Sequence, residues 1–176
     1  MIRSHFYDKK SPVDDNSQQS KLPERLARRL VNLASPTAES RVLCVGSRAT
    51  AIATAVKAAG ACIQGTKFPG DVSDRTDLPF QRKVDTVFWN TAVSASEDPL
   101  PLIRQSLRIG GRLVAWGILE NGGDVSSAIN RFQERLQRVG FTSIIVGTMV
   151  PDFGRFIAAT GIFRPTEAND QPVTKR

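Results

Sequence analysis

Residues 41–68 read RVLCVGSRATAIATAVKAAGACIQGTKF, and this stretch decides the fold. RVLCVG, residues 41–46, is a short valine-rich apolar run between polar residues, the pattern of a buried strand. The loop SRAT leads straight into AIATAVKAA, where Ile52, Val56 and Ala59 recur at helical spacing and Gly60 is placed to end the helix. ACIQGTKF, residues 61–68, is a second strand. Strand, helix and strand joined by short connections make a parallel crossover unit.

The same alternation continues downstream. PGDVSDRTDLPF (69–80) is turn-rich, and VDTVFWN (84–90) is a third strand. Pro99 and Pro101 open a helix predicted to run through Leu102, Ile103 and Leu107 to Gly110 and Gly111. RLVAWGIL (112–119) is a fourth strand. Gly122, Gly123 and Asp124 precede an amphipathic helix carrying Val125, Ile129, Phe132, Leu136 and Val139, closed by Gly140. TSIIVGTMV (142–150) and RFIAATGIF (155–163) are two more strands, joined only by the turn PDFG, and so should pair antiparallel.

Upstream, Leu22, Leu26, Leu30 and Leu33 recur at steps of four, four and three, a helix opened by Ser20 and Pro23 and ended by Ser35-Pro36. Residues 1–20 are polar and predict a flexible N-terminal arm, 21–163 the folded domain, and 164–176 a disordered tail. The fold class expected is α/β: a three-layer α/β/α sandwich whose mostly parallel sheet of about six strands ends in a C-terminal antiparallel hairpin.

At 176 residues the chain suits one domain with a sizeable core. No run has the length of a membrane span. The opening MIRSHFYDKKSPVDD has no apolar core, so it is not read as a secretory signal, and Asp8, Asp14 and Asp15 interrupt its basic residues. A cytoplasmic location is expected. Cys44 and Cys62 sit in apolar runs and are expected to be buried free thiols. With one histidine, His5, no metal site is expected. The formal charge of +7 raises nucleic acid or a phosphorylated ligand as a partner. The arginines are scattered, however, with local groups at Arg25, Arg28 and Arg29 and at Arg131, Arg135 and Arg138, and no aromatic stacking platform lies among them. They read as solvated helix faces, which leaves nucleic acid the secondary class of partner and a small molecule the primary one.

In this order of elements the chain resembles the class I S-adenosylmethionine-dependent methyltransferases, from about Leu22 to Phe163. RVLCVGSRATAIATAVKAAGA stands where that family has its first motif. GDVSDRTDLPF looks like its acidic loop. LPLIRQSLRIGGRLVAWG looks like the helix, paired glycines and strand that follow the active-site strand, and LQRVGFTSIIV with RFIAATGIF looks like the closing hairpin. The cofactor domain of zinc-type alcohol or quinone reductases is a rival. Only fourteen positions separate Gly46 from Gly60, as in the methyltransferase pattern, and the reductase loop is usually about two residues longer.

The resemblance implies a Rossmann-like domain, S-adenosylmethionine as cofactor, and Gly46, Ser47, Arg48, Asp71 and Asn90 as its binding positions. Asp71 matches the acid that contacts the adenine amine. The first motif usually reads Asp-x-Gly-x-Gly-x-Gly. Here Cys44 takes the acid's place, Gly46 stays, and Arg48 and Thr50 replace the other glycines, while Thr66 and Lys67 stand where an acid usually ends the second strand.

Further candidates follow from position. Asn90 and Thr91 end the third strand, at the edge where ligands sit in open α/β folds, with Trp89 beside them read as core. Glu120 and Asn121 end the fourth. Asp74 and Asp77 can serve acid–base chemistry or cap turn amides. Ser47 is expected to cap the following helix. The catalytic candidates are Tyr7, His5 and Asn90. The implied function is a divergent S-adenosylmethionine-dependent methyltransferase acting on a small molecule. The alternative is a methyltransferase-fold protein that has lost the cofactor and serves in interaction or assembly, or reuses the crevice for other chemistry.

Overall fold

The computed structural model describes residues 22–46, 48–67, 84–91, 99–119, 124–149 and 156–164. Among the described residues ten elements run in the order α1 Glu24–Ala34, β1 Arg41–Val45, α2 Ala49–Ala58, β2 Cys62–Lys67, β3 Val84–Asn90, α3 Leu100–Ser106, β4 Leu107–Ile118, α4 Val125–Arg138, β5 Phe141–Met149 and β6 Phe156–Phe163. The strands form one sheet in the order β2-β1-β3-β4-β6-β5. β1, β2, β3 and β4 are parallel, and β6 lies antiparallel between β4 and β5. The sandwich and its closing hairpin are therefore as the alternation of elements predicts.

Strand side chains alternate between faces, and the sheet here has a core on each. Val42, Cys44, Phe88, Val114, Trp116 and Ala158 pack under α1 and α2. Leu43, Val45, Val87, Trp89, Leu113 and Ala115 pack under α3 and α4. Trp116, Phe88 and Leu113 are wholly buried, each worth roughly 1.5–3 kcal/mol of transfer free energy or more. Trp89 is core, as expected from the sequence.

Three local expectations are corrected. α3 stops at Ser106, and Leu107 already has the extended ψ of 136° that starts β4. Gly110 and Gly111 thus lie within β4, not at the end of a helix. The register explains this: Val84 pairs with Leu107 but Thr86 with Arg112, so residues 108–111 form an excursion in the ladder. Gly110 takes φ +80°, and a Cβ on Gly111 would lie 2.8 Å from the Arg108 carbonyl oxygen. The buried face of α1 is Leu26, Ala27, Leu30, Val31 and Ala34, and Leu33 is 39% exposed, because the helix presents the stripe that includes alanine and valine. Cys62 is exposed, since it opens β2, which among the described residues is an edge strand beside β1.

Helix ends fall where glycine or a left-handed residue allows them. Gly60 and Gly140 follow α2 and α4 at φ +83° and +93°, and Ser35 ends α1 at φ +46°. The expected arm lies outside the described residues, as does the tail beyond Arg164.

Candidate functional site

In an open α/β sheet the place for a ligand is the crevice outside the carboxyl ends of the strands, where the strand order reverses. Here the order runs from β1 outward to β2 and then returns to β3 on the other side of β1. The switch point lies between the ends of β1 and β3. The residues immediately beyond those strands are Gly46 and Thr91, and Asn90 closes β3.

Gly46 and Asn90 are brought together directly. Gly46 has φ +108°, and a Cβ there would run into the Asn90 carbonyl oxygen and sit 3.0 Å from Asn90 Cβ. Only glycine meets both demands. The turn then closes with the Ala49 N–H donating to the Gly46 carbonyl at 3.0 Å. Arg48 is the N-cap residue of α2, with φ −110° and ψ 19°, and its own side chain makes no capping hydrogen bond. The capping expected of Ser47 concerns a residue outside the described ones. Its neighbour Arg48 holds the N-cap position.

Arg48 is half-buried, and burial pulls its guanidinium below the ordinary arginine pKa. Thr50, the other glycine replacement, is exposed, and its carbonyl accepts from the Thr54 hydroxyl at 3.0 Å. Cys44, at the first motif's usual acid position, is wholly buried, and its thiol is pushed up to about 12 by desolvation. It is a packing residue and a poor nucleophile. β2 ends at Lys67, which pairs with Val45.

Asn90 is half-buried, and its Nδ2 donates to the Trp116 carbonyl at 3.3 Å. The Thr91 backbone N–H donates to the same carbonyl at 2.8 Å. The pair thus ties the end of β3 to β4 and fixes the floor of the crevice. His5, Tyr7, Asp71, Asp74, Asp77, Glu120 and Asn121 lie outside the described residues.

One feature of this edge was not visible in the sequence. A cavity of about 170 Å³ opens on the α4 side, lined by Thr91, Ala128, Arg131, Phe132, Arg135 and Ile157. The Phe132 and Trp89 ring centroids are 6.3 Å apart, and the Arg135 guanidinium carbon lies 5.3 Å from the Trp89 centroid. Arg131 is exposed and Arg135 half-buried, so both keep access to solvent while bordering the cavity.

No protein-family model and no curated protein matches the chain. Solved structures do. A Burkholderia thailandensis 1,6-didemethyltoxoflavin-N1-methyltransferase, with bound 1,6-didemethyltoxoflavin and S-adenosylhomocysteine, superposes with a TM-score of 0.61 at 16% identity, over 86% of this chain and 82% of that one. A Geobacter metallireducens precorrin-6y C5,15-methyltransferase gives 0.62 at 9% identity, over 86% and 97%. A putative methyltransferase from Bacillus halodurans gives 0.57 at 11% identity, over 77% and 97%. The strand order, the single antiparallel strand and these superpositions agree: the chain has the fold of the class I S-adenosylmethionine-dependent methyltransferases.

Proposed function

We propose that the protein is a divergent S-adenosylmethionine-dependent methyltransferase acting on a small molecule, with the cofactor at the turn from Gly46 to Arg48. The observation that carries this reading is Gly46 itself. It holds φ +108° against Asn90 at the switch point, the one glycine of the family's first motif that this sequence keeps. The Burkholderia neighbour, whose structure contains a small-molecule ligand and S-adenosylhomocysteine, supports the same class of chemistry.

The residues fit such a group at one end only. The Gly46 turn brings the start of α2 to the switch point, and a helix N-terminus there favours a carboxylate. β2, by contrast, ends in Lys67 where the family usually has an acid for the ribose hydroxyls. The cofactor would supply an activated methyl group. This chain's part would be to seat it at the Gly46 turn and to hold the acceptor beside Asn90 and Thr91.

A second reading, a crevice reused for a different anionic ligand, is favoured by half-buried Arg48 at the helix N-cap. Titration calorimetry with S-adenosylhomocysteine separates the two. Saturable heat and a rise in melting temperature are expected for the first. Absence of both at millimolar ligand leaves the second.

A further inference from the structure

Trp116 carries a buried donor that the fold does not use. Its side chain is wholly buried, and among the described residues its indole Nε1–H finds no acceptor. Buried polar side-chain atoms nearly always have a partner, and a donor left without one costs the desolvation of the group. An indole N–H donates and does not accept, so it takes an acceptor atom to relieve it.

The place of Trp116 on β4 ties this donor to the crevice. Trp116 is in register with Asn90, the last residue of β3, and its carbonyl accepts from Asn90 Nδ2 at 3.3 Å and from the Thr91 N–H at 2.8 Å. Phe88 and Trp116 belong to the cluster under α1 and α2. Strand residues two apart share a face, so Asn90 lies on the same side as Phe88. A Cβ on Gly46 would sit 3.0 Å from Asn90 Cβ, which continues the row to the turn after β1. Along β4 on this face the burial ends abruptly. Val114 and Trp116 are wholly buried, and Ile118 is 49% exposed. Trp116 is thus the last covered side chain of β4 before the mouth of the crevice on the α1 and α2 side.

We infer that the Trp116 indole N–H is a ligand-binding donor. It takes a neutral acceptor atom, a carbonyl oxygen or an unprotonated ring nitrogen, on a molecule whose apolar body lies against Ile118 at the mouth beside Asn90. The indole is covered, so the molecule must displace a covering side chain, and the hydrogen bond gained by the unmet donor offsets that cost. The inference rests on the proposed function for one point, that this molecule is the methyl acceptor. The donor then selects acceptors by chemistry, since a cationic or all-carbon group cannot take the bond.

The test is NMR of the full chain, whose two tryptophans give two indole N–H signals, assigned by Trp89→Phe or by Trp116→Phe. The probes are pyridine, kept unprotonated by the buffer, and benzene, which has nearly the same shape and a similar ring current without an acceptor atom. Pyridine is expected to move the Trp116 indole proton downfield, and benzene is not. The affinity of pyridine relative to benzene should fall at least fivefold in Trp116→Phe, which keeps an apolar ring and removes the donor. The shift in the unmodified chain stands as a test even if Trp116→Phe does not fold, because Trp89→Phe also assigns the signal. A Trp116 proton unmoved by pyridine, or moved alike by both probes, overturns the inference. So does a relative affinity unchanged in Trp116→Phe. S-adenosylhomocysteine binding without a pyridine response removes this donor role and leaves the proposed function. A pyridine response without S-adenosylhomocysteine binding keeps the donor and removes the methyltransferase reading.

Discussion

Gly46 sits on Asn90 with no room for a side chain between them: the added Cβ would overlap the Asn90 carbonyl oxygen, and the Gly46 backbone is held at φ +108°. The contact joins the ends of β1 and β3 where the sheet's strand order reverses, so the shape of the crevice depends on it. Gly46→Ala introduces both left-handed strain and a backbone clash, together about 3 kcal/mol. Thermal melting should show a loss of roughly 6–12 °C for a chain of this size. Gly60→Ala is the control. It has a similar φ of +83° with nothing within 4 Å of the added Cβ, and should lose only about 1 kcal/mol from strain. Equal losses at the two sites would show that the Asn90 contact is not what constrains Gly46.

Arg112 closes the end of α1 from the sheet. Its Nη1 donates to the Leu33 carbonyl at 3.0 Å and to the Ala34 carbonyl at 3.2 Å, two of the last acceptors of that helix. A cation at a helix C-terminus also complements the dipole. Arg112→Met keeps the stem and removes the donors, and should cost about 1–2 kcal/mol in urea denaturation. Amide exchange should rise first in the last turn of α1. A loss spread evenly over the sheet would argue against this role.

Much of this could be read from the chain, and the failures have physical causes. VDTVFWN gives β3 at its observed bounds, because a buried central strand is apolar on both faces and ends at polar Asn90. Gly60 and Gly140 mark helix ends because a C′ residue with positive φ leaves a chemical trace. Leu107–Gly111 misled, because paired glycines signal a break and do not say whether a helix ends or a strand ladder bulges. Cys62 misled because an apolar run does not reveal which strand lies at the sheet edge. The site was legible at Gly46 and Asn90, which the strand ends locate. The cavity was not, since Thr91, Arg135 and Ile157 come from three distant segments and meet only in the folded chain.

Asp124 makes the stability of α4 depend on acid. It is the N-cap, and its carboxylate is held below the ordinary value first by the Ser127 hydroxyl, then by the Ser127 and Ser126 backbone N–H groups, with the Arg131 charge adding to them. A carboxyl whose folded pKa is depressed stabilises the fold above its unfolded pKa and loses that contribution as pH falls toward the folded value. The melting temperature of the unmodified protein should therefore fall with acidification through and below the usual carboxylate range. Asp124→Asn, which can still accept from the amides, should show a shallower fall there. Identical slopes for the two proteins would remove Asp124 as a source of the acid sensitivity.

Arg48 decides between the two readings of the crevice. It stands at the N-cap of α2, half-buried, where the family keeps a glycine so that a cofactor can approach the backbone. Thr50 replaces another of those glycines but is exposed, whereas Arg48 is half-buried. Glycine is acceptable at an N-cap, and no side-chain capping bond exists to be lost. Arg48→Gly should therefore leave the cap intact, and any fall in melting temperature measures the remaining contacts of the half-buried Arg48 side chain. Adding Thr50→Gly, inside the first turn of the helix, should lower stability by up to about 1 kcal/mol and add nothing to binding. If the crevice takes S-adenosylmethionine, Arg48→Gly should tighten S-adenosylhomocysteine at least fivefold in calorimetry, because it removes bulk from the approach. If Arg48 instead grips the carboxylate or phosphate of another ligand, the same variant gains nothing for S-adenosylhomocysteine and loses the anion. Arg48→Lys separates charge from bulk. It retains a cation without the planar fork, and should restore anion binding only in part, because a guanidinium holds such groups through two parallel hydrogen bonds.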